Sequence, residues 1–201
     1  MKMILAAALM LSAALFAFAQ SGNEMPKNEL SVWGGYSPDS TTVISAFGRT
    51  PDARFGIVSL RYSRRFRNTS WLNLKYTADV TPLAAIDFKT PGQPAAPRTT
   101  AVGFGGAPLG IQANFRASKK VQPYVGMSGG MLYFNKQVLG PLGTHFTFTA
   151  DIGAGVEIQT RNGRAVSFGY KYFHVSNGNR GEINPGIDNN LLYIGYTFFG
   201  K

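Results

Sequence analysis

Residues 72–80 read Leu72-Asn73-Leu74-Lys75-Tyr76-Thr77-Ala78-Asp79-Val80, an unbroken alternation of apolar and polar side chains. Successive side chains of a β-strand point to opposite faces, so this segment has one apolar face and one face that carries lysine and aspartate. A charged face opposite a lipid-compatible face is typical of the strands of outer-membrane β-barrels. The segment therefore indicates a strand with one side in lipid and the other toward a polar interior.

The same period of two recurs along the chain and predicts eight strands. Their expected ranges are 28–36, 54–66, 69–82, 102–117, 121–135, 144–160, 164–176 and 188–199. Most exceed the usual five or six residues of strands in globular sheets. About ten residues tilted across a bilayer account for that length. We therefore predict an all-β fold, an eight-stranded antiparallel transmembrane β-barrel.

The predicted connections alternate in length. They are short at 66–68, 118–120 and 161–163, and long at 37–53, 83–101 and 177–187. Outer-membrane barrels have short periplasmic turns and longer extracellular loops. With an even number of strands, both chain ends lie on the periplasmic side, so the loop between strands seven and eight faces the cell exterior.

The composition agrees with a membrane barrel and excludes several other classes. Aromatic residues make up 13% and charged residues only 15% of the chain, which suits strands with one face in lipid. Cysteine is absent, so thiol chemistry and a disulfide framework are excluded. The net charge of +10 is not accompanied by any nucleic-acid recognition motif, and it fits anionic lipid head groups better than nucleic acid.

The N-terminus has the features of an export signal. Lys2 supplies a positive charge, an apolar run follows from Met3 to Phe16, and Ala17-Phe18-Ala19 forms a small-residue cleavage site. We therefore predict a signal peptide at residues 1–19 and an outer-membrane barrel at residues 20–201, located in a bacterial outer membrane.

Of the two histidines, His174 has the sequence neighbours that a hydrolytic site requires. His145 has no nucleophile or acid beside it in sequence, which favours a structural role at a loop edge. His174 and Ser176 lie two residues apart at the outer end of strand seven, so both project from the lipid-facing side of that strand. Asp188, at the start of strand eight, has the same outward parity. Serine, histidine and a carboxylate on one surface are the components of a hydrolytic triad.

The stretches His174-Val175-Ser176-Asn177 and Asn184-Pro185-Gly186-Ile187-Asp188 resemble the C-terminal motif of the lipid A 3-O-deacylases, an outer-membrane acyl hydrolase family. The resemblance implies an esterase that hydrolyses the ester holding the 3-hydroxyacyl chain at position 3 of lipid A, without a metal or other cofactor. It makes lipopolysaccharide the substrate and the membrane the site of action.

By this resemblance Ser176 is the nucleophile, His174 the general base and Asp188 the orienting acid, and Asn177 is a candidate oxyanion donor. The family's acid is typically a glutamate, so Asp188 is one methylene shorter than expected. Glu182, in the intervening loop, is the alternative acid, although its position lacks the matching parity.

Two other kinds of function are compatible with the same strands. A non-catalytic barrel would act as a structural protein or an adhesin through its long loops. A small channel or ligand-binding barrel ranks third, because an eight-stranded lumen is normally filled by side chains. The inward residues Lys75, Asp79, Asp151, Glu157 and Lys171 are expected to form such an internal network. The sequence does not decide between a monomer and a homodimer.

Overall fold

Eight long antiparallel strands make up the fold. The structure, a computed structural model, describes residues 27–40, 43–48, 50–93, 95, 97–160 and 163–200. The strands are β1 (Asn28–Ser37), β2 (Arg54–Asn68), β3 (Leu72–Phe88), β4 (Thr99–Phe115), β5 (Val121–Val138), β6 (Thr144–Gln159), β7 (Ala165–Ser176) and β8 (Ile187–Gly200). The predicted signal peptide at 1–19 lies outside the described residues.

The strands close into a barrel in which each strand pairs with its neighbour in sequence and β1 pairs with β8. The predicted all-β, eight-stranded antiparallel barrel is therefore confirmed. Closure leaves no unpaired sheet edge, which a strand protein in a bilayer requires. No helix in the described part of the chain is long and apolar enough to cross a membrane.

The two faces of β3 follow the alternation of its sequence. Lys75 and Asp79 are buried inside the barrel, whereas Tyr76 and Val80 are exposed on its outer surface. Strand β8 follows the same rule, with Leu192 and Ile194 outside and Leu191 and Tyr193 inside. The period of two thus fixes which side chains face lipid.

Ion pairs fill the lower and middle parts of the interior. The Lys75 ammonium donates to Glu29 at 2.7 Å and to Glu157 at 3.1 Å. Arg61 binds both oxygens of Asp79, at 2.8 and 2.7 Å, and Lys171 donates to Asp151 at 2.6 Å. The predicted internal network is confirmed, and these side chains occupy the space that a channel would need.

The upper part of the interior is apolar. Phe55 and Phe173 stack with ring centroids 5.2 Å apart, and Phe88 and Phe134 are fully buried at the same end. The barrel beneath the extracellular loops is therefore a packed core, which gives β7 and β8 a rigid base.

The boundaries of β3 and β4 differ from the sequence prediction. The third strand was predicted to end at residue 82 and the fourth to begin at residue 102, yet β3 continues to Phe88 and β4 begins at Thr99. Pro82 is exposed and lies where the pairing register shifts between Thr81 and Ala84, so the irregularity accommodates it. The long loop predicted at 83–101 is consequently confined to residues 89–98.

Candidate active site

The candidate site lies at the extracellular end of β7, on the outer surface. His174 and Ser176 occupy the last outward-facing positions of this strand, and both are half-buried. The intervening Val175 is buried in the core, which holds the strand in this orientation. Both polar side chains therefore point away from the pore, as the parity of the sequence predicts.

His174 and Asp188 are direct cross-strand partners in the pairing of β7 with β8. Direct partners in an antiparallel pair place their Cβ atoms about 5 Å apart, so a short side chain suffices to span the gap. Nδ1 of His174 lies 2.6 Å from Oδ1 of Asp188. The aspartate therefore reaches the imidazole despite being one methylene shorter than a glutamate.

The second carboxylate oxygen of Asp188 is held by backbone. Oδ2 accepts hydrogen bonds from the N–H groups of Ala46, Phe47 and Gly48, at 2.8, 2.9 and 2.7 Å. Successive backbone N–H groups that converge on one oxygen form an anion-binding nest. These donors stabilise the ionised carboxylate, and they explain why a side chain with outward parity is only 1% exposed.

The first extracellular loop, residues 38–53, supplies this nest and is anchored to β8 and to the loop before it. The Asn190 side chain accepts from the Ile44 N–H at 3.0 Å and donates to the Ser40 carbonyl at 3.3 Å. The Thr50 hydroxyl donates to the Gly186 carbonyl at 2.8 Å. These contacts could not be predicted from the sequence, because a loop without periodicity gives no indication of what it covers.

Two neighbours fix the ring of His174. Phe47 packs edge-on against it, with centroids 5.9 Å apart, while Phe47 itself remains 73% exposed. Gly186 has a φ of +65° and lies so close beneath the ring that a Cβ would approach Cε1 of His174 to 2.8 Å. Glycine at this position therefore permits both the turn and the close approach.

Ser176 is near His174 without being hydrogen bonded to it. Residues two apart in a strand have Cα atoms about 6.6 Å apart, and their side chains lie on the same face. Nucleophile and base are often loosely arranged before substrate binds. Ser176 pairs across the sheet with Phe148, which is 40% exposed and gives the serine an apolar neighbour.

The remaining predicted site residues lie in the loop between β7 and β8. Asn177 is buried, its N–H donates to the Asn184 side chain at 3.0 Å and its amide donates to the Ile183 carbonyl at 2.7 Å. These bonds give Asn177 a role in shaping the loop and use one of its two amide hydrogens. Glu182, the alternative acid, is exposed and makes no hydrogen bond to His174.

His145 makes structural contacts. Its Nδ1 lies 2.9 Å from the Phe134 carbonyl oxygen, and its ring stacks on Tyr133 with centroids 5.8 Å apart. No group of three or more histidine, cysteine or acidic side chains able to hold a metal ion occurs among the described residues. The candidate site itself contains an imidazole, a hydroxyl and a carboxylate, from His174, Ser176 and Asp188.

An apolar groove of about 640 Å³ runs along the outer surface below the first loop. Its floor contains Gly34 and Gly56, and its walls include Tyr36, Leu83 and Leu192. Glycines in neighbouring outward positions leave a depression between larger apolar side chains.

Comparison with known proteins identifies the family of the chain. A family model described as Lipid A 3-O-deacylase (PagL) matches residues 56–197. The crystal structure of the outer membrane enzyme PagL superposes with a TM-score of 0.58 at 20% identity, covering 82% of this chain and 97% of that one. The crystal structure of Neisserial surface protein A gives a TM-score of 0.48 at 15% identity, covering 85% and 96%. No curated protein matches the chain.

The family model spans well over half of the chain, including β7, β8 and the loop between them. The likeness to the PagL structure supports the same barrel. The chain therefore belongs to the lipid A 3-O-deacylase (PagL) family and is an ester-hydrolysing enzyme of the outer membrane.

Proposed function

We propose that this enzyme removes the ester-linked 3-hydroxyacyl chain at position 3 of lipid A by a serine–histidine–acid mechanism, with Ser176, His174 and Asp188 in those roles. The observation that carries the proposal is the 2.6 Å contact between His174 Nδ1 and Asp188 Oδ1, with Ser176 on the same outward face. The contact leaves Nε2 of His174 as the basic atom.

The first half-reaction forms an acyl-enzyme. The Ser176 hydroxyl attacks the ester carbonyl carbon while its proton passes to Nε2 of His174, and the resulting imidazolium is stabilised by Asp188. When the tetrahedral intermediate collapses, the bond between the carbonyl carbon and the sugar oxygen breaks. His174 returns the proton to that oxygen, and the deacylated lipid leaves.

The second half-reaction restores the serine. Water attacks the acyl-enzyme carbonyl and gives one proton to His174, and collapse of this second intermediate releases the hydroxy fatty acid. The proton on His174 then returns to Ser176. The available amide hydrogen of Asn177 is placed beside the nucleophile in sequence, and we assign it to the developing oxyanion.

The location of the site supports a substrate that is already in the membrane. Ser176 faces outward at the extracellular end of β7, where the apolar strand surface gives way to loops. A lipid in the outer leaflet presents its sugar at this depth and its acyl chains alongside the strands. The enzyme therefore needs no pore, which agrees with the filled interior.

The apolar groove supports an acyl substrate in particular. It lies deeper in the bilayer than Ser176, because Leu192 pairs with Tyr170, six residues before the serine on β7. An acyl chain whose ester is held at Ser176 extends downward toward this groove. We assign the groove to the hydrocarbon part of the substrate.

Mass spectrometry of lipid A tests the mechanism. Cells that express the wild type are expected to lose one hydroxyacyl chain from lipid A, and cells that express Ser176→Ala are expected to retain it. Ser118→Ala, an exposed serine in a turn at the opposite end, is the matched control and should behave as the wild type. The folded barrel is verified for each variant by its faster migration on unheated gels.

An independent measurement examines the covalent step. A fluorophosphonate probe should add its mass to the wild-type protein and to Ser118→Ala, but not to Ser176→Ala. Deacylation by a well-folded Ser176→Ala variant would refute the assignment of the nucleophile, whatever the fate of the probe.

A further inference from the structure

The excess positive charge of the protein is concentrated at the periplasmic end. Six exposed cations lie in or beside the three short turns: Arg64, Arg67, Arg116, Lys119, Lys120 and Arg164. Lys27, directly before β1, is exposed at the same end. We call these seven residues the basic rim.

Within the described part of the chain, no carboxylate is exposed beside the basic rim. Glu29 and Glu157 lie at this end but are buried in the interior, where they bind Arg65 and Lys75. The described carboxylates therefore do not neutralise the basic rim, which leaves its charges open to a partner outside the barrel.

The other described residues do not show this imbalance. The interior contains four cations and four carboxylates, paired with one another. The described extracellular loops and strand ends contain five of each, and Arg98 and Asp87 there are in contact. The asymmetry thus belongs to one end of the barrel and is not a general property of its surface.

Aromatic side chains locate the basic rim relative to the bilayer. Phe66, Trp71 and Phe115 are 60%, 63% and 37% exposed and lie at the ends of the same strands. Exposed aromatic rings at strand ends mark the level of the lipid head groups in barrels of this type. Arg67 and Arg116 directly follow Phe66 and Phe115 in sequence, and Lys119 lies in the same turn as Arg116.

The turns are too short to carry the charges far from that level. Three residues separate β2 from β3, and five separate β4 from β5 and β6 from β7. Arg64 shares the outward face of β2 with Phe66, so its guanidinium points toward lipid. Arginine and lysine bind phosphate oxygens through charge-assisted hydrogen bonds.

We infer that the basic rim binds the head groups of anionic phospholipids in the inner leaflet of the outer membrane. Each basic residue near an anionic membrane surface strengthens the binding of the protein to that surface roughly fivefold. The bound lipids supply the negative charge that the turns lack. This site is separate from Ser176, at the opposite end of the barrel, and does not depend on the proposed mechanism.

Lipid retention tests this inference on the full-length protein. Wild-type barrel is reconstituted with equal amounts of phosphatidylglycerol and phosphatidylcholine, transferred to detergent, and its retained lipids are measured by native mass spectrometry. The test variant is Arg67→Gln with Lys119→Gln and Lys120→Gln. The matched variant is Arg54→Gln with Lys136→Gln and Arg180→Gln, which removes three exposed extracellular cations.

The wild type and the extracellular variant are expected to retain at least about fivefold more phosphatidylglycerol than phosphatidylcholine. The periplasmic variant should lose most of that preference, and high salt should reduce it in the wild type. Equal retention of both lipids by the wild type would overturn the inference. An equal loss of phosphatidylglycerol preference in the two variants would also overturn the inference. The same holds if the protein binds isolated peptidoglycan through the basic rim and shows no preference between the two lipids.

Discussion

Oδ2 of Asp188 accepts a hydrogen bond from the backbone N–H of Gly48 at 2.7 Å, across 140 residues of sequence. The carboxylate that orients His174 is thus held by the first extracellular loop as well as by β8. A carboxylate that faces the membrane is costly unless it is paired or hydrogen bonded. The loop removes that cost, and the position of the acid depends on the conformation of residues 45–48.

Replacement of Gly48 by alanine should therefore reduce catalysis by displacing Asp188, and not through a contact between the added methyl group and the substrate. A Cβ at this position would lie 2.6 Å from the Asp188 nitrogen and 2.8 Å from its Cγ. Either the loop or the carboxylate must move, and misplacement by about 1 Å can lower kcat by about 100-fold. We expect kcat to fall by about 10- to 100-fold with little change in KM, as measured on purified lipid A in mixed micelles.

Gly129→Ala is the control for this substitution. Its Cβ would meet nothing closer than 3.9 Å on the lipid-facing side of β5, away from the site. Activity of Gly48→Ala equal to that of Gly129→Ala would show that the nest does not position the acid.

Removal of the charge on Asp188 should have a larger effect. In Asp188→Asn the amide nitrogen must face either the three N–H donors or Nδ1 of His174, so one set of hydrogen bonds is lost. The tautomer of His174 is then no longer fixed, and we expect kcat to fall by about 10³- to 10⁴-fold. Glu182→Gln, in the exposed part of the loop, should retain nearly full activity. The reverse ranking of these two variants would identify Glu182 as the acid.

Asp188→Glu should also be impaired, although glutamate is the typical acid of the family. Positions 174 and 188 pair directly and Gly48 lies close to Asp188, so a further methylene should displace the carboxylate from His174 or from the loop. We expect kcat of Asp188→Glu to lie between those of the wild type and Asp188→Asn. Full activity in a steady-state assay would show that the first loop adjusts freely to the longer side chain.

The periodic part of the sequence predicted most of the fold and the orientation of the site. The outward parity of His174, Ser176 and Asp188 followed from the period of two, and the barrel bears it out. Burial of Asp188 could not be predicted, because it comes from residues 46–48, whose contacts are long-range and follow no periodic pattern. For the same reason nothing in the sequence indicated that Asn190 anchors the first loop.

The apolar groove yields a prediction about chain-length preference. A Cβ on Gly34 would contact its nearest neighbours at 3.5 and 3.8 Å, so a larger side chain fits without backbone strain and occupies the groove. Gly34→Leu is therefore expected to lower kcat/KM for esters with long acyl chains about 10-fold and to spare short ones. Competition between synthetic substrates of two chain lengths measures this ratio directly.

Gly129→Leu adds the same side chain to a lipid-facing position outside the groove and serves as the comparison. An unchanged chain-length preference in Gly34→Leu would move the acyl chain to another part of the surface. Equal losses for both lengths would indicate damage to the fold instead.

The interior network should contribute to stability and not to catalysis. Lys75 is 1% exposed and bridges Glu29 and Glu157, so Lys75→Met leaves two buried carboxylates short of a cation. Loss of one partner of a buried ion pair costs about 3–5 kcal/mol. We expect the free energy of unfolding in urea, followed by tryptophan fluorescence in lipid vesicles, to fall by this amount.

Lys120→Met, at an exposed turn, should leave the free energy of unfolding nearly unchanged. This control separates the effect of losing a charge from the effect of losing a buried ion pair. Addition of Glu157→Gln to Lys75→Met should recover part of the stability, because one uncompensated carboxylate is removed. A loss below about 1 kcal/mol in Lys75→Met would mean that water enters the barrel and solvates both glutamates. In that case the lumen would be a wet passage, and the side chains of the interior would no longer exclude a channel.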